Sequence, residues 1–341
     1  MHDDVRPTIP SGSLQERLQA DAEAARKFAA RSRAENTLRA YRADWVDFAR
    51  WCEARRLPSL PAPPEVVTLY IAARARGSEE MPPLKVSTLE RRLAAIAAAH
   101  RLAGYEAPTS RRDEPLHSVW TGIVRDKGLA RDKVAPVLTE DIRQMVRVIL
   151  EQDLTAGDTA TVLRARRDVA LLLLGFAGAL RRSELAALTV EDIAIGPEGL
   201  RVRIRRSKGD QEGAGTTIGI HYGSEAATCP VRALRSWLIV SGITSGALFR
   251  SISRKGKLAV TSLSPRTVAR IVKARAAAAG LDPRAYSGHS LRAGFATQAA
   301  RAGVPERIIM RHTRHKDVMT LREYIRDGGL FNENPTDRLG L

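Results

Sequence analysis

Leu200-Arg201-Val202-Arg203-Ile204-Arg205-Arg206 decides how the rest of the chain is read. Its apolar residues alternate with arginines, a period of two that puts Val202 and Ile204 on one face of a strand and Arg201, Arg203 and Arg205 on the other. Turn-rich residues Ser207 to Gly215 follow, and then a second strand pattern, Thr216 to Ile220. The pair reads as an antiparallel hairpin with one strongly basic face. No other stretch gives so clear a strand signal. The expected fold is therefore mainly α (α+β), with one small antiparallel sheet.

Upstream, helical patterns punctuated by proline fill residues 1–130. Ser13 and Glu16 are spaced as a capping box ahead of a helix to about Arg31. Leu38, Tyr41, Trp45, Phe48 and Cys52 recur at +3, +4, +3 and +4, one apolar face of a helix that ends before Pro58. Pro63 and Pro64 suit the first turn of a third helix to about Ala75. Ser87 and Glu90 form a second capping-box pattern ahead of Leu89, Leu93, Ile96 and His100, and a fifth short helix carries Val119, Trp120 and Ile123. Residues 1–130 thus read as a helical bundle, joined by a charged linker over residues 126–137 to a second domain, residues 131–341. That domain opens with a helix capped by Thr139 and a buried helix around Val169–Ala179. After the hairpin come helices near Pro230–Val240, Pro265–Ala279, Ser290–Ala302 and Pro305–Met310. Ser264 and Gly280 bracket the Pro265 helix as cap and stop.

The 341 residues include 55 Lys and Arg against 38 Asp and Glu, a formal charge of +17. Residues 1–130 hold 21 basic and 17 acidic side chains and residues 131–341 hold 34 and 21, so the excess lies in the second domain. It predicts a polyanionic partner, nucleic acid or an anionic membrane surface. The longest apolar run, Val169 to Leu180, has 12 residues, too few to span a bilayer, and Met1-His2-Asp3-Asp4 does not begin a secretion signal. Cys52 and Cys229 are far apart and lack metal-ligand spacing, which argues for a reducing, cytoplasmic setting and against a zinc site.

Four patterns in the second domain carry chemistry. In Gly178-Ala179-Leu180-Arg181-Arg182-Ser183-Glu184-Leu185, a carboxylate three residues after Arg181 is placed to hold that arginine rigid, or else to form a surface ion pair at a helix start. In Ser287-Gly288-His289-Ser290-Leu291-Arg292, His289 and Arg292 share a helix face and reach one phosphate, unless the histidine is only a cap. His315 precedes Tyr324 by nine residues, which on one unbroken helix sets them on opposite faces, so they share a site only if the chain turns between them. Lys208 stands at the hairpin tip among arginines that lower its pKa and favour proton donation near neutrality; the same arginines also read as a solvated or DNA-facing edge.

Taken in order, Arg-x-x-Glu, hairpin Lys, His-x-Leu-Arg, His and a tyrosine nine residues on, the set resembles the tyrosine site-specific recombinases, the phage integrase family. The helical first half and basic linker look like its Cre and Xer members. Family members often have glycine before the last histidine, where Arg314 stands here; His312 is a competitor for that role, but only His315 lies nine residues before Tyr324. The resemblance implies a helical DNA-binding domain, a catalytic domain, and breakage and rejoining of DNA through a 3′-phosphotyrosyl link, with no cofactor, metal or ATP. Arg181 and Arg292 would clamp the phosphate oxygens and His315 would add a hydrogen bond. Tyr324 would attack, His289 accept the phenol proton, Lys208 protonate the 5′-oxygen, and Glu184 orient its neighbours.

The implied partner is double-stranded DNA with paired recombination sites, bound by two protomers per site and four in the synapse. Arg91, Arg92, Arg205, Arg206, Arg254, Lys255 and Lys257 are candidate phosphate contacts, and Arg39 and Arg42 candidates for a groove. Two other readings share the pattern: a topoisomerase or hairpin-forming resolvase with the same residues, and a non-catalytic DNA-binding protein, which would need neither Tyr324 nor Lys208.

Overall fold

The computed structural model describes residues 35–128, 135–153, 158–205 and 215–315, together with Glu16, Leu18, Gln19, Asp21, Glu23, Thr155, Val318, Met319, Leu321, Arg322 and Tyr324. The chain divides into two compact units, residues 1–131 and 132–341.

The first unit contains α1 (Glu35–Glu53), α2 (Pro64–Arg76), α3 (Val86–Leu102) and α4 (Leu116–Lys127). The apolar stripe of α1 buries Phe48, Trp51 and Cys52, and both rings meet Tyr70 of α2 edge-on, with centroids 5.0 and 5.4 Å away. On α3 the expected cap is displaced. The helix starts at Val86 after Lys85, so Ser87 lies inside the first turn and makes no capping box with Glu90. His100 is a fully buried core histidine, whose Nε2 accepts from the Ala62 N–H at 2.9 Å while Nδ1 donates to the Ile96 carbonyl. The Ser13–Arg31 helix lies largely outside the described residues.

The second unit is built on α6 (Thr159–Ala177), whose residues Val169 to Gly175 are all buried and which packs on α5 (Thr139–Val148), α8 (Pro230–Ser241) and α10 (Ser290–Arg301). α6 starts ten residues before the apolar run because Asp158 caps it, accepting from the Thr161 N–H at 3.0 Å. Charged Arg167 and Asp168 inside it are buried but satisfied: they pair with each other, and Asp168 also accepts from Arg275 of α9 (Pro265–Ala278). Thr139 opens α5 as its first residue and is not its cap; the Leu138 N–H is met by the Asp141 carboxylate at 2.9 Å. Ser264 caps α9 as expected, accepting from the Thr267 N–H.

β2 (Gly199–Ile204) and β3 (Thr216–His221) form the expected antiparallel hairpin, with Arg203 opposite Thr217. Leu200, Val202 and Ile204 are buried and Arg201 and Arg203 exposed. A short strand, β1 (Ile193–Ile195), adds to the other edge of β2 with Ile193 opposite Val202, and β4 (Arg250–Ile252) and β5 (Leu258–Ser262) make a second small antiparallel pair. The mainly helical fold with little sheet is as expected. The hairpin turn, including Arg206 and Lys208, lies outside the described residues. Among those residues no helix is long and apolar enough to cross a membrane.

Candidate active site

The end of α6 sets the site. At Gly175 an added Cβ would meet Leu291 Cδ1 at 2.8 Å and Leu185 Cδ2 at 2.9 Å, so α6 passes against both α10 and α7 (Arg182–Ala187) with no room for a side chain. Each of those leucines neighbours a site residue, Glu184 and Arg292. The chain then leaves α6 through Ala179, at a positive φ of 44°, and delivers Arg181 to the start of α7. Glu184 Oε2 accepts from the Arg181 backbone N–H at 2.9 Å and Oε1 from Arg181 Nη1 at 2.5 Å. The carboxylate is 2% exposed, so this is an interior clamp on the arginine and not the surface pair that the spacing also allowed.

Arg292, on the first turn of α10, is 1% exposed. Nη1 donates to the Ala179 carbonyl at 2.9 Å, while Nε and Nη2 are buried and have no partner among the described residues. Burial, followed by the charges of Arg181 and Arg314, lowers its pKa to about 9, which leaves it charged at neutrality. A buried guanidinium with two unmet donors is costly unless an anion completes it.

α11 (Glu306–Thr313) ends in Arg314, which adopts the left-handed conformation (φ 58°, ψ 40°) and turns the chain. Beyond it Val318, Met319, Leu321, Arg322 and Tyr324 are helical. Leu321 is fully buried against Ala296 and Ile309, and Tyr324, one turn on, packs on the same cluster. His315 lies outside that helix, so the two are not on one unbroken helix, and their ring centroids are 6.2 Å apart. Tyr324 Oη lies 2.9 Å from His289 Nε2. His315 Nδ1 is held by the Thr313 hydroxyl at 2.8 Å. His312 bonds the Ala177 carbonyl at 2.8 Å and stacks on Phe295, so it braces the end of α6 from below.

Burial first, and then the arginine charges, hold both site histidines below the ordinary imidazole range; His315 falls to about 3 through Arg292, Arg181, His289 and Arg314, and His289 is lowered by Arg292, Arg181 and Arg182. Both are neutral at pH 7. Because the unfolded chain binds these protons below about pH 6.5 and the folded chain does not, stability decreases on acidification from there toward pH 3. The urea midpoint is expected to fall between pH 6.5 and 4.5, above the range of most carboxylates, and His315→Gln to flatten that slope. An unchanged slope in the variant would show that His315 titrates normally.

The structure thus brings Arg181, Glu184, His289, Arg292, His315 and Tyr324 into one place. Arg314, in none of the sequence patterns as a site residue, joins them: its Nη2 donates to Glu184 Oε2 at 3.0 Å. Its signal was the departure from glycine before His315. The candidate DNA contacts divide. Arg42, Arg254, Lys255 and Lys257 are exposed. Arg39 is exposed and paired with Glu35, and Arg205 with Asp192. Arg91 is half-exposed and forked onto Asp44, whereas Arg92 is turned inward onto Asp47 and the Tyr70 hydroxyl. Among the described residues no three His, Cys, Asp or Glu side chains group to hold a metal ion.

Residues 139–328 match the phage integrase family. The chain is 39% identical over 310 residues to the integrase/recombinase xerD homolog of Selenomonas ruminantium, covering 91% of this chain and 86% of that one. It is 26% identical over 298 residues to the recombinase cre of Escherichia phage P1, covering 82% and 80%. The fold is similar to the crystal structure of a lambda integrase dimer bound to a core site, with a TM-score of 0.56 at 16% identity, over 94% of this chain and 82% of that one. A family match spanning more than half of the chain, together with that 39% identity, leaves one conclusion: the chain belongs to the phage integrase family and is a tyrosine-type site-specific DNA recombinase.

Proposed function

We propose that Tyr324 is the nucleophile, and that the cluster around it acts on one phosphodiester of a DNA recombination site. The observation that carries this reading is the 2.9 Å contact between Tyr324 Oη and His289 Nε2, beside a buried Arg292 with two unmet donors. A neutral His289 takes the phenol proton at Nε2 as Oη attacks phosphorus. The P–O5′ bond breaks, the phosphate stays on Tyr324 through its 3′ side, and Lys208 supplies the proton to the departing 5′-oxygen. One phosphoester replaces another, so the bond energy is conserved and the step runs in both directions.

Charge supports the assignment. Arg181, Arg292 and Arg314 surround one carboxylate, Glu184, which leaves two positive charges when the histidines are neutral. A pentacoordinate phosphoryl transition state carries two negative ones. Fixed guanidinia in a desolvated setting stabilise that charge without reorganising. His315 adds a hydrogen bond to the same oxygens. The exposed cations Arg254, Lys255 and Lys257 hold the duplex backbone. Two protomers bind each site and four form the synapse, in the cytoplasm.

The test is covalent capture. The protein is incubated with nicked duplexes of random sequence, and adducts that survive SDS are collected, sequenced and digested with trypsin. The nucleotides are expected on the peptide Glu323-Tyr324-Ile325-Arg326. Capture on any other peptide, or none from the whole pool, would sink the assignment.

A further inference from the structure

We infer that Arg314 is a positioning residue for the recombination chemistry: it locks Glu184 and, through it, holds Arg181 where the phosphate is received. The inference rests on the assignment of Arg181 and Arg292 to that phosphate.

The backbone gives the first argument. Arg314 ends α11 in the left-handed region, at φ 58° and ψ 40°, where glycine is the residue of least strain. An arginine held there is maintained by what its side chain does. That side chain is 8% exposed, and it reaches across the site to the corner between α6 and α7. Nη1 donates to the Gly178 carbonyl at 3.2 Å and to the His312 carbonyl at 2.8 Å. Nη2 donates to the Ala179 carbonyl at 3.0 Å and to Glu184 Oε2 at 3.0 Å. Both terminal nitrogens are therefore committed to protein acceptors, and only Nε is left without a partner among the described residues.

The acceptors it chose give the second argument. Glu184 is the carboxylate that grips Arg181, and Arg314 occupies the Oε2 atom that also accepts from the Arg181 backbone. The Ala179 carbonyl is the one that Arg292 uses. Arg181 Nη2 leans in turn on the Arg314 carbonyl at 3.4 Å. One side chain thus joins the supports of both phosphate-binding arginines to the turn that separates His315 from α11. Without it, Glu184 Oε2 loses one of two donors and the terminal carboxylate torsion, intrinsically broad, is left to wander. Misplacement of a clamp by about 1 Å costs on the order of 100-fold in rate.

The experiment uses the nicked duplex that the wild-type protein captures from the random pool. Single-turnover adduct formation at saturating protein, duplex affinity by anisotropy and thermal midpoint are measured for Arg314→Gly, Arg314→Lys, Glu184→Gln and the Arg314→Gly, Glu184→Gln double variant. Arg314→Gly relieves the backbone strain and should stay folded, bind duplex within about threefold of wild type, and form adduct about 100-fold more slowly. Arg314→Lys, with an ammonium able to reach Glu184 but not all four acceptors, should recover about tenfold of that loss. Because the effect runs through Glu184, adding Arg314→Gly to Glu184→Gln should cost less than about tenfold more.

A wild-type adduct rate in Arg314→Gly overturns the inference. So does a double variant whose losses simply multiply, or a lower folded fraction with an unchanged rate per folded molecule. If Arg314→Gly does not fold, a wild-type rate in Arg314→Lys overturns it equally. If the wild-type protein captures no duplex, the assignment beneath it falls instead.

Discussion

Changing Tyr324 to phenylalanine is expected to leave the protein folded and bound to its duplex while adduct formation drops to background, by about 10⁴-fold or more. The substitution removes one oxygen. The ring keeps its place, because the helix carrying it is anchored by Leu321, fully buried against Ala296 and Ile309, and because the ring itself packs on that cluster and lies over His315. What disappears is the atom 2.9 Å from His289 Nε2. His289 then has no phenol to deprotonate, and a duplex binder with an intact arginine clamp remains. Duplex affinity should stay within about twofold, since phosphate contacts and not the nucleophile dominate binding. An adduct that persists in Tyr324→Phe would mean another side chain attacks, and the His289 contact would then need a different explanation.

How much of this was readable beforehand depends on the kind of signal. The β2–β3 hairpin announced itself through alternation, and Leu200, Val202 and Ile204 are the buried side of it. β1 and β4 have three residues each, too few to show a period, and exist because neighbouring strands supply partners. α6 was seen only from its apolar middle, because its start contains Arg167 and Asp168. Hydropathy counts these as surface, but they are buried with their charges paired, to each other and to Arg275. Ser87 has the right spacing for a cap and the wrong place, since α3 begins one residue earlier. In the site, short-range patterns such as Arg181 with Glu184 and His289 with Arg292 could be read from spacing. The meeting of His315 with Tyr324 required a turn, and spacing stated only that condition. Arg314 was the least legible. Its role depends on Gly178, Ala179 and Glu184, more than a hundred residues earlier in the chain, and nothing local to it names them.

Arg292→Lys keeps a formal cation and is nevertheless expected to slow adduct formation by about 10³-fold at pH 7.5, through geometry and charge together. Arg292 holds itself in place with Nη1 on the Ala179 carbonyl and still has Nε and Nη2 for the phosphate. A lysine has one nitrogen, and if it satisfies Ala179 it meets the phosphate from the wrong point. The second loss is of charge. Burial with Arg181 and Arg314 nearby brings even a guanidinium, ordinarily above 12, to about 9. An amine that starts near 10.4 is pushed much lower by the same surroundings and spends much of its time neutral at pH 7.5. Acidification relieves only the second of these losses. If His289 accepts the phenol proton it must be neutral, so wild type is expected to slow as pH falls through its depressed pKa. Arg292→Lys loses activity through His289 in the same way but regains it as the lysine charges, so the ratio of variant to wild-type rate should rise between pH 8 and 6. A ratio that stays flat would assign the whole defect to geometry, and a variant within tenfold of wild type would remove Arg292 from the phosphate altogether.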